Sequence, residues 1–311
     1  MSETDVTLDE GRELLRKVKQ AQRRTTAARL KARLHEPRWV FWTAVKYITL
    51  LMAAVAVIVP PYCVLMASFK TLDEYYNTSK VGLPESFLNF SNYIKVFREG
   101  NLGLAFGNTG VILAVSLVLT ILFGTQVAYV LARFNFRGKK LVVGAYLIAM
   151  IIPAITTQVA TFEIIKALGL INHKGSVILL YIGADVVMIY VFLQFMKGIP
   201  LELDEAAKIE GATYLQIYVK IILPLLKPAI ATIIILRTIY IYNDFYFPLL
   251  YLPEPNQVTV STALYKFTSI FGTEWTTISA GVIIILVPSI LVFLLLQKQI
   301  YAGVTNGAVK G

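Results

Sequence analysis

Residues 200–224 read Pro-Leu-Glu-Leu-Asp-Glu-Ala-Ala-Lys-Ile-Glu-Gly-Ala-Thr-Tyr-Leu-Gln-Ile-Tyr-Val-Lys-Ile-Ile-Leu-Pro and lie between two long apolar segments. Pro200 suits the first turn of a helix, and Glu202, Asp204 and Glu205 put negative charge at its positive end, so a short helix is expected to start near Leu201. Ala206 and Ala207 keep one side slim enough for close approach to another surface, and Gly211 can adopt the left-handed conformation that ends a helix. A second helical piece is expected from about Tyr214 to Lys220. Its apolar stripe would be Leu215, Val219 and Ile222, with Leu223-Pro224 opening the next apolar segment. A short amphipathic piece on its own reads as a connector lying on a membrane surface. The full spacing between hydrophobic segments turns the reading toward a docking element.

Working outward, the chain of 311 residues is 57% hydrophobic and only 15% charged, which excludes an ordinary soluble domain. Apolar windows long enough to cross a bilayer lie near 43–69, 105–131, 141–160, 176–196, 224–250 and 277–297, predicting six spans. About 40 polar residues precede the first window, so it reads as a span and not as a cleavable leader. Placing both termini in the cytoplasm puts Arg133, Arg137, Lys139, Lys140, Lys197, Lys208, Lys220, Lys298, Lys310 and ten further basic residues of the first 40 inside. Only Lys70, Lys80, Lys95, Arg98, Lys166, Lys174 and Lys266 are then outside, in keeping with the bias of cytoplasmic loops toward basic residues. Most of the net charge of +10 is thus topology, and no aromatic-interleaved basic face points to nucleic acid.

Catalytic patterns are missing from the sequence. Near Gly138-Lys139-Lys140, Arg133 stands where a phosphate-binding loop has glycine and Lys140 where it has Ser or Thr. There is no G-x-S-x-G and no H-E-x-x-H. The one cysteine, Cys63, falls within the first span, and His35 and His173 fall on opposite sides of the membrane, which leaves no metal-ligand pair.

Glu205-Ala206-Ala207, Gly211 and Ile221-Ile222-Leu223-Pro224 resemble the coupling loop of the permease subunits of ATP-binding-cassette importers. Ser68-Phe69-Lys70, Asn89, Tyr93, Asn108-Thr109, the Tyr129–Lys139 stretch and the tail Gly303–Gly311 are similar to the smaller permease of the carbohydrate-uptake class within that family, which includes maltose and oligosaccharide importers. Tyr242 stands where that family commonly has Trp, while Asn243, Pro248 and Leu249 match it. The resemblance implies an all-α membrane protein of six transmembrane helices, the type I importer permease fold. It also implies a basic cytoplasmic extension over 1–39, a permease domain over 40–298 with its coupling loop at 200–222, and a glycine-rich cytoplasmic tail over 299–311. The implied partners are a second permease, two ATPase subunits that bind ATP and Mg, an extracytoplasmic solute-binding protein, a carbohydrate substrate and membrane lipid. No cofactor is expected in this chain. Glu205, Ala206, Ala207, Gly211, Leu223 and Pro224 would carry ATPase coupling, and Gly307, Lys310 and Gly311 would reach toward the ATPase pair.

Polar groups inside spans tend to face a partner helix or a water-filled path. At ~1.5 Å per residue, Asp185 and Arg237 both fall roughly 14–16 Å below the outer surface, so they read as an ion pair between the fourth and fifth spans or as lining a path. Arg237, Tyr240, Asp244 and Phe247 share one helical stripe, and a polar, aromatic stripe suits a sugar. Tyr240, Asn243 and Asp244 are assigned to that path, and Tyr246 and Tyr251 to the aromatic belt at the membrane surface. Arg237 also leaves room for an anionic sugar or sugar phosphate. A second reading makes Asp185 and Arg237 the site of an ion-coupled secondary transporter, whose usual sign of inverted repeats is not visible here. The long outer loop at 70–104 is expected to be a small structured element. Leu14, Leu15 and Val18 among basic residues read equally as an amphipathic helix on anionic lipid or as a solvated extension.

Overall fold

The computed structural model describes residues 37–182, 186–269 and 272–308 of the chain. The chain divides into two units, Met1–Cys63 and Val64–Gly311. The described part of the first is helix α1 (Pro37–Phe69), which continues into the second. Across its best 18-residue apolar window none of α1 is buried, as suits a helix whose side chains meet lipid or another subunit.

The second unit continues α2 (Leu72–Asn77), α3 (Ser91–Glu99), α4 (Leu102–Arg133), α5 (Lys139–Ile151), α6 (Gln158–Ala167), α7 (Lys174–Ile182) and α8 (Val186–Lys197). Then come α9 (Glu202–Ile209), α10 (Tyr214–Ile217), α11 (Lys227–Asn243), α12 (Tyr246–Tyr251) and α13 (Trp275–Ala308). A two-residue antiparallel ladder pairs β1 (Thr268–Ser269) with β2 (Gly272–Thr273), Thr268 opposite Thr273.

Helix α4 organises this unit because it contributes to all three buried clusters. Leu102 and Ala105 pack with Val96, Val260, Ala263, Phe267 and Ala280 at one end. Ile112 joins Ile165, Val177, Tyr181, Ile241 and Tyr251 in the middle. Ala128, Tyr129 and Leu131 meet Met188, Phe192, Met196, Ile217, Ile222 and Ile233 at the other end. Apolar side chains gain nothing by leaving lipid for another apolar surface, so such helices associate through close packing and polar contacts. Both occur on α4. A Cβ at Gly124 would lie 2.6 Å from Cε of Met188, the movable end of a flexible side chain, and 3.2 Å from Phe192, so α8 packs closely on α4 there. The Thr125 hydroxyl lies 2.7 Å from that of Tyr218.

Among the described residues three helices are long and apolar enough to cross a membrane, and the number is five if each of two bent pairs is one span. The expected span at 141–160 is the sixth, and it is divided into α5 and α6. Ile152 is extended, as a residue before proline tends to be, and Pro153 leads into a short tight turn over Ala154–Thr157. The expected span at 224–250 is also interrupted. Residues 214–225 meet α11 at a 70° bend, just where Pro228 has no N–H to give the carbonyl four residues back. It breaks again at Asp244, which is extended.

The 70–104 loop is folded, as expected. Thr71 and Glu74 form a reciprocal cap on α2. Asn92 donates to the carbonyls of Ser68 (3.0 Å) and Lys70 (2.8 Å), Asn89 donates to that of Phe69 (3.0 Å), and the Ser68 and Tyr93 hydroxyls meet at 2.7 Å. The buried Lys70 ammonium donates to Thr78 Oγ1 and to the Ser79 carbonyl just past the end of α2, where the helix leaves partial negative charge.

Candidate functional site

The 200–222 loop forms the expected helix, bend and helix. Helix α9 has Glu202, Asp204 and Glu205 in its first turn and is closed by a Schellman turn: the Ala212 N–H donates to the Ala207 carbonyl (2.9 Å) and the Gly211 N–H to that of Lys208 (3.0 Å). Gly211 supplies the left-handed residue at φ 84°, and open space surrounds the position of its missing Cβ. Conformation, and not crowding, requires glycine there. Thr213 caps α10, accepting from the Gln216 N–H while Gln216 Oε1 accepts from the Thr213 N–H.

The second piece departs from expectation. After Ile217 the chain makes a π-type turn over Tyr218–Ile222, the Leu223 N–H reaching back five residues to the Tyr218 carbonyl. Pro224 follows at once, and a proline ring crowds the carbonyl four residues before it, here that of Lys220. A wider turn stacks residues five apart, so Ile217 and Ile222 share the buried face with Tyr218. Leu215 and Val219, expected inside, are exposed.

The loop therefore has two faces. Inward lie Ala207 (8% exposed), Ile217, Tyr218 and Ile222, packed on α4 and α8. Outward lie Glu205, Ala206, Ile209 (88% exposed) and Leu215 (68% exposed). The two alanines expected to act together are thus divided, with only Ala206 on the open side. Leu223 is half-buried and Pro224 exposed. Asp204, expected only as a charge at the helix start, is 2% exposed and meets Arg133 Nη2 at 3.1 Å. The same Nη2 donates to the Ile199 carbonyl (3.0 Å). Farther along, the Tyr129 and Tyr218 rings lie 5.4 Å apart and those of Phe134 and Tyr214 5.0 Å apart. The Lys208 ammonium sits 4.7 Å from the Tyr214 ring. Lys208 and Tyr214 are near neighbours in the chain, but the other partners lie about 66 to 89 positions apart, and spacing does not announce them.

A second constellation sits at the break between α11 and α12. Arg237, Tyr240, Asp244 and Phe247 do converge, although a chain break and not one continuous helix brings them together. Asp244 Oδ1 accepts from the N–H groups of Tyr246 (2.9 Å) and Phe247 (3.3 Å), starting α12, while its Oδ2 accepts from the Tyr181 hydroxyl (2.9 Å). The Tyr181 ring stands edge-on to Tyr240 and Phe247, and its carbonyl accepts from Arg237. The Arg237 guanidinium lies 5.2 Å from the Tyr240 ring centre, a cation–π distance. Tyr181 was not among the expected residues, because an aromatic in an apolar run carries no signal of its own. Asn243 is exposed, its amide donating to the Ile239 carbonyl within the helix. Tyr251, expected at the lipid surface, is fully buried and accepts from the Gln158 amide (2.7 Å). Tyr242 donates to the Ile285 carbonyl (2.8 Å). Asp185, Lys310, Gly311 and the basic segment at 1–36 lie outside the described residues, whereas the backbone of α13 runs through Gly307.

Asn108 and Thr109 join helix to loop: the Asn108 amide donates to the carbonyls of Asn256 (3.1 Å) and Val258 (2.8 Å), and Thr109 Oγ1 accepts from the Val260 N–H (3.0 Å).

Among known proteins, the chain is 34% identical over 272 residues to the melibiose/raffinose/stachyose import permease protein MelC of Bacillus subtilis, covering 86% of this chain and 98% of that one. It is 36% identical over 229 residues to the trehalose transport system permease protein SugB of Mycobacterium tuberculosis, covering 73% and 84%. The fold matches a chain in the crystal structure of a bacterial ABC transporter involved in the import of the acidic polysaccharide alginate, with TM-score 0.75 and 22% identity over 85% of this chain and 98% of that one. The all-α architecture is thus that of a type I importer permease. Residues 120–306, from within α4 through the loop to α13, match the model of the binding-protein-dependent transport system inner membrane component, and to that family of membrane permeases this chain belongs.

Proposed function

We propose that this chain is one of two permease subunits of an ATP-driven importer of oligosaccharides. The observation that carries the reading is the two-faced 200–222 loop, seated on α4 by one side and presenting Glu205, Ala206, Ile209 and Leu215 on the other. An exposed set of large apolar groups beside a carboxylate is what a partner protein buries. That partner is a pair of ATPase subunits, which hold the ATP and Mg and grip this loop and its counterpart on the second permease. Both termini and the loop lie in the cytoplasm. The opposite end receives a solute-binding protein, and the spans alternate between inward- and outward-facing arrangements as the ATPase pair closes. The Gly307–Gly311 tail reaches toward the ATPase interface.

The sugar path is assigned to Arg237, Tyr240, Asn243 and Asp244, now with Tyr181, and to Asp185. Rings offer flat faces to sugar rings, and the carboxylate and guanidinium offer directional acceptors and donors to hydroxyls. Arg237 against Tyr240 favours a second reading for substrate alone, a sugar carrying a carboxylate or phosphate.

The test is purification of the tagged chain in mild detergent. Mass spectrometry identifies what co-elutes, and ATP hydrolysis is measured with raffinose, trehalose or an alginate oligosaccharide and a candidate solute-binding protein. Recovery of a second permease and an ATPase is expected. Glu205→Lys and Gly211→Asp should lose ATPase binding and uptake while still inserting. Normal uptake by both variants, or a lone protein whose uptake follows an ion gradient, would overturn the proposal.

A further inference from the structure

We infer that the Arg133–Asp204 ion pair is the latch through which movement of helix α9 reaches α4, an inference that rests on the ATPase docking proposed above. Four acids lie on or beside α9: Glu202, Asp204, Glu205 and Glu210. Only Asp204 is buried. It faces back into the protein, and its partner is the last residue of α4. The side chains of the pair are 10% and 3% exposed, and neither Arg133 Nε nor Asp204 Oδ2 has a hydrogen-bond partner, so the two are joined by charge and not by a well-aligned hydrogen bond.

That setting is a poor one for stability. Two charges withdrawn from water recover their hydration only when geometry is excellent and every donor is used, and an apolar pair of similar volume commonly does as well. The pair does fix a distance and a direction. One guanidinium nitrogen, Nη2, donates to the Ile199 carbonyl and lies against Asp204 Oδ2, so a displacement of α9 pulls on Arg133 through that single point. Of α9, only Asp204 and Ala207 are buried. The second half of the loop is anchored separately, by Tyr218 on Thr125 and Tyr214 on Phe134. Without the ion pair, α9 would slide on a methyl group while α10 kept its own seat.

What α9 moves through Arg133 is a rod. Helix α4 has 32 residues, roughly 48 Å at ~1.5 Å per residue, and its far end holds the 256–260 loop through Asn108 and Thr109. Arg133 is thus a positioning residue. It connects the site where the ATPase acts to the opposite end of the molecule, through one continuous element.

The experiment uses the whole importer in nanodiscs, with hydrogen–deuterium exchange read with and without ADP–vanadate, which traps a closed ATPase pair. In the wild type, ADP–vanadate is expected to change exchange at 202–217 and along 102–133. In the double variant Arg133→Met/Asp204→Leu, which keeps volume and removes charge, the response at 202–209 should persist and that along 102–133 should fall at least twofold. The swap Arg133→Asp/Asp204→Arg should bring it back. A wild-type response of α4 in the Met/Leu variant would overturn the latch. So would failure of both variants to assemble, which would assign the pair to folding. Failure of the docking itself would look different: the wild type would lack an ATPase, or would show no change at 202–217, and the latch would fall with it.

Discussion

Two glycines are required for opposite reasons. Gly211 sits at φ 84° in open space, so only its backbone conformation is special. An L-residue there costs about 1–2 kcal/mol, less for Asn, which tolerates the left-handed region. Gly124 has an ordinary helical backbone, and its missing Cβ is filled by Met188 and Phe192. Gly124→Val should therefore destabilise by about 1–3 kcal/mol through overpacking. Gly211→Asn should be close to neutral and Gly211→Ala intermediate, all read from thermal unfolding of the purified protein. Equal losses at the two positions would sink this assignment. Gly211 was legible in the sequence because a helix end is a local event, announced within a few residues. Gly124 was not, since its reason lies on α8, more than sixty positions away. The same holds for Asp204, whose local reading as a charge at a helix start was sound and whose partner Arg133 was out of sight.

At the scale of elements, short-range signals predicted where helices begin and missed where they break. The bend before α11, the extended Asp244 and the interrupted α5–α6 segment all disturb long apolar runs that look continuous to a hydropathy window. Pro153 and Pro228 were visible in the sequence, but proline inside a span is tolerated often enough that its presence alone does not announce a break. Contacts between elements add a measurable dependence on pH. Lys95 on α3 donates to Glu274 at the head of α13 (2.9 Å), and this hydrogen bond, with that of Thr277, holds the Glu274 carboxyl below its ordinary value of 4.5. Because the folded value is the lower one, the tie contributes fully above the ordinary carboxylate range and is lost as pH falls through it. Both side chains are more than a third exposed, so the effect is small and screened by salt. Exchange protection at 91–99 should fall as pH drops from about 5 to about 3 in the wild type at low salt. It should be flat in Lys95→Met. An unchanged slope in that variant would assign the pH dependence elsewhere.

For the whole molecule, the balance of basic residues sets the proposed topology, and it can be checked directly. In a Cys63→Ser background, Glu85→Cys and Glu254→Cys should react with an impermeant maleimide on intact cells, and Lys208→Cys only after permeabilisation. The reverse pattern would invert the orientation. The fold class and the helix–bend–helix form of the 200–222 loop were legible because both are written in composition and local spacing. The Tyr181–Asp244–Arg237 cluster and the seat of the loop were not, because they are made of single residues brought together from distant segments. Helix α4 shows what that costs a growing chain. Its Thr125 hydroxyl can donate meanwhile to the Ile121 carbonyl of its own helix, but its Asn108 waits 148 residues for the first of its two acceptors. At ~5–20 residues per second, the Asn108 amide stands in the membrane for on the order of ten seconds before either acceptor exists. During that interval, whatever inserts this chain has to shelter that amide, so the helix that later organises the folded protein is also the one most dependent on help at birth.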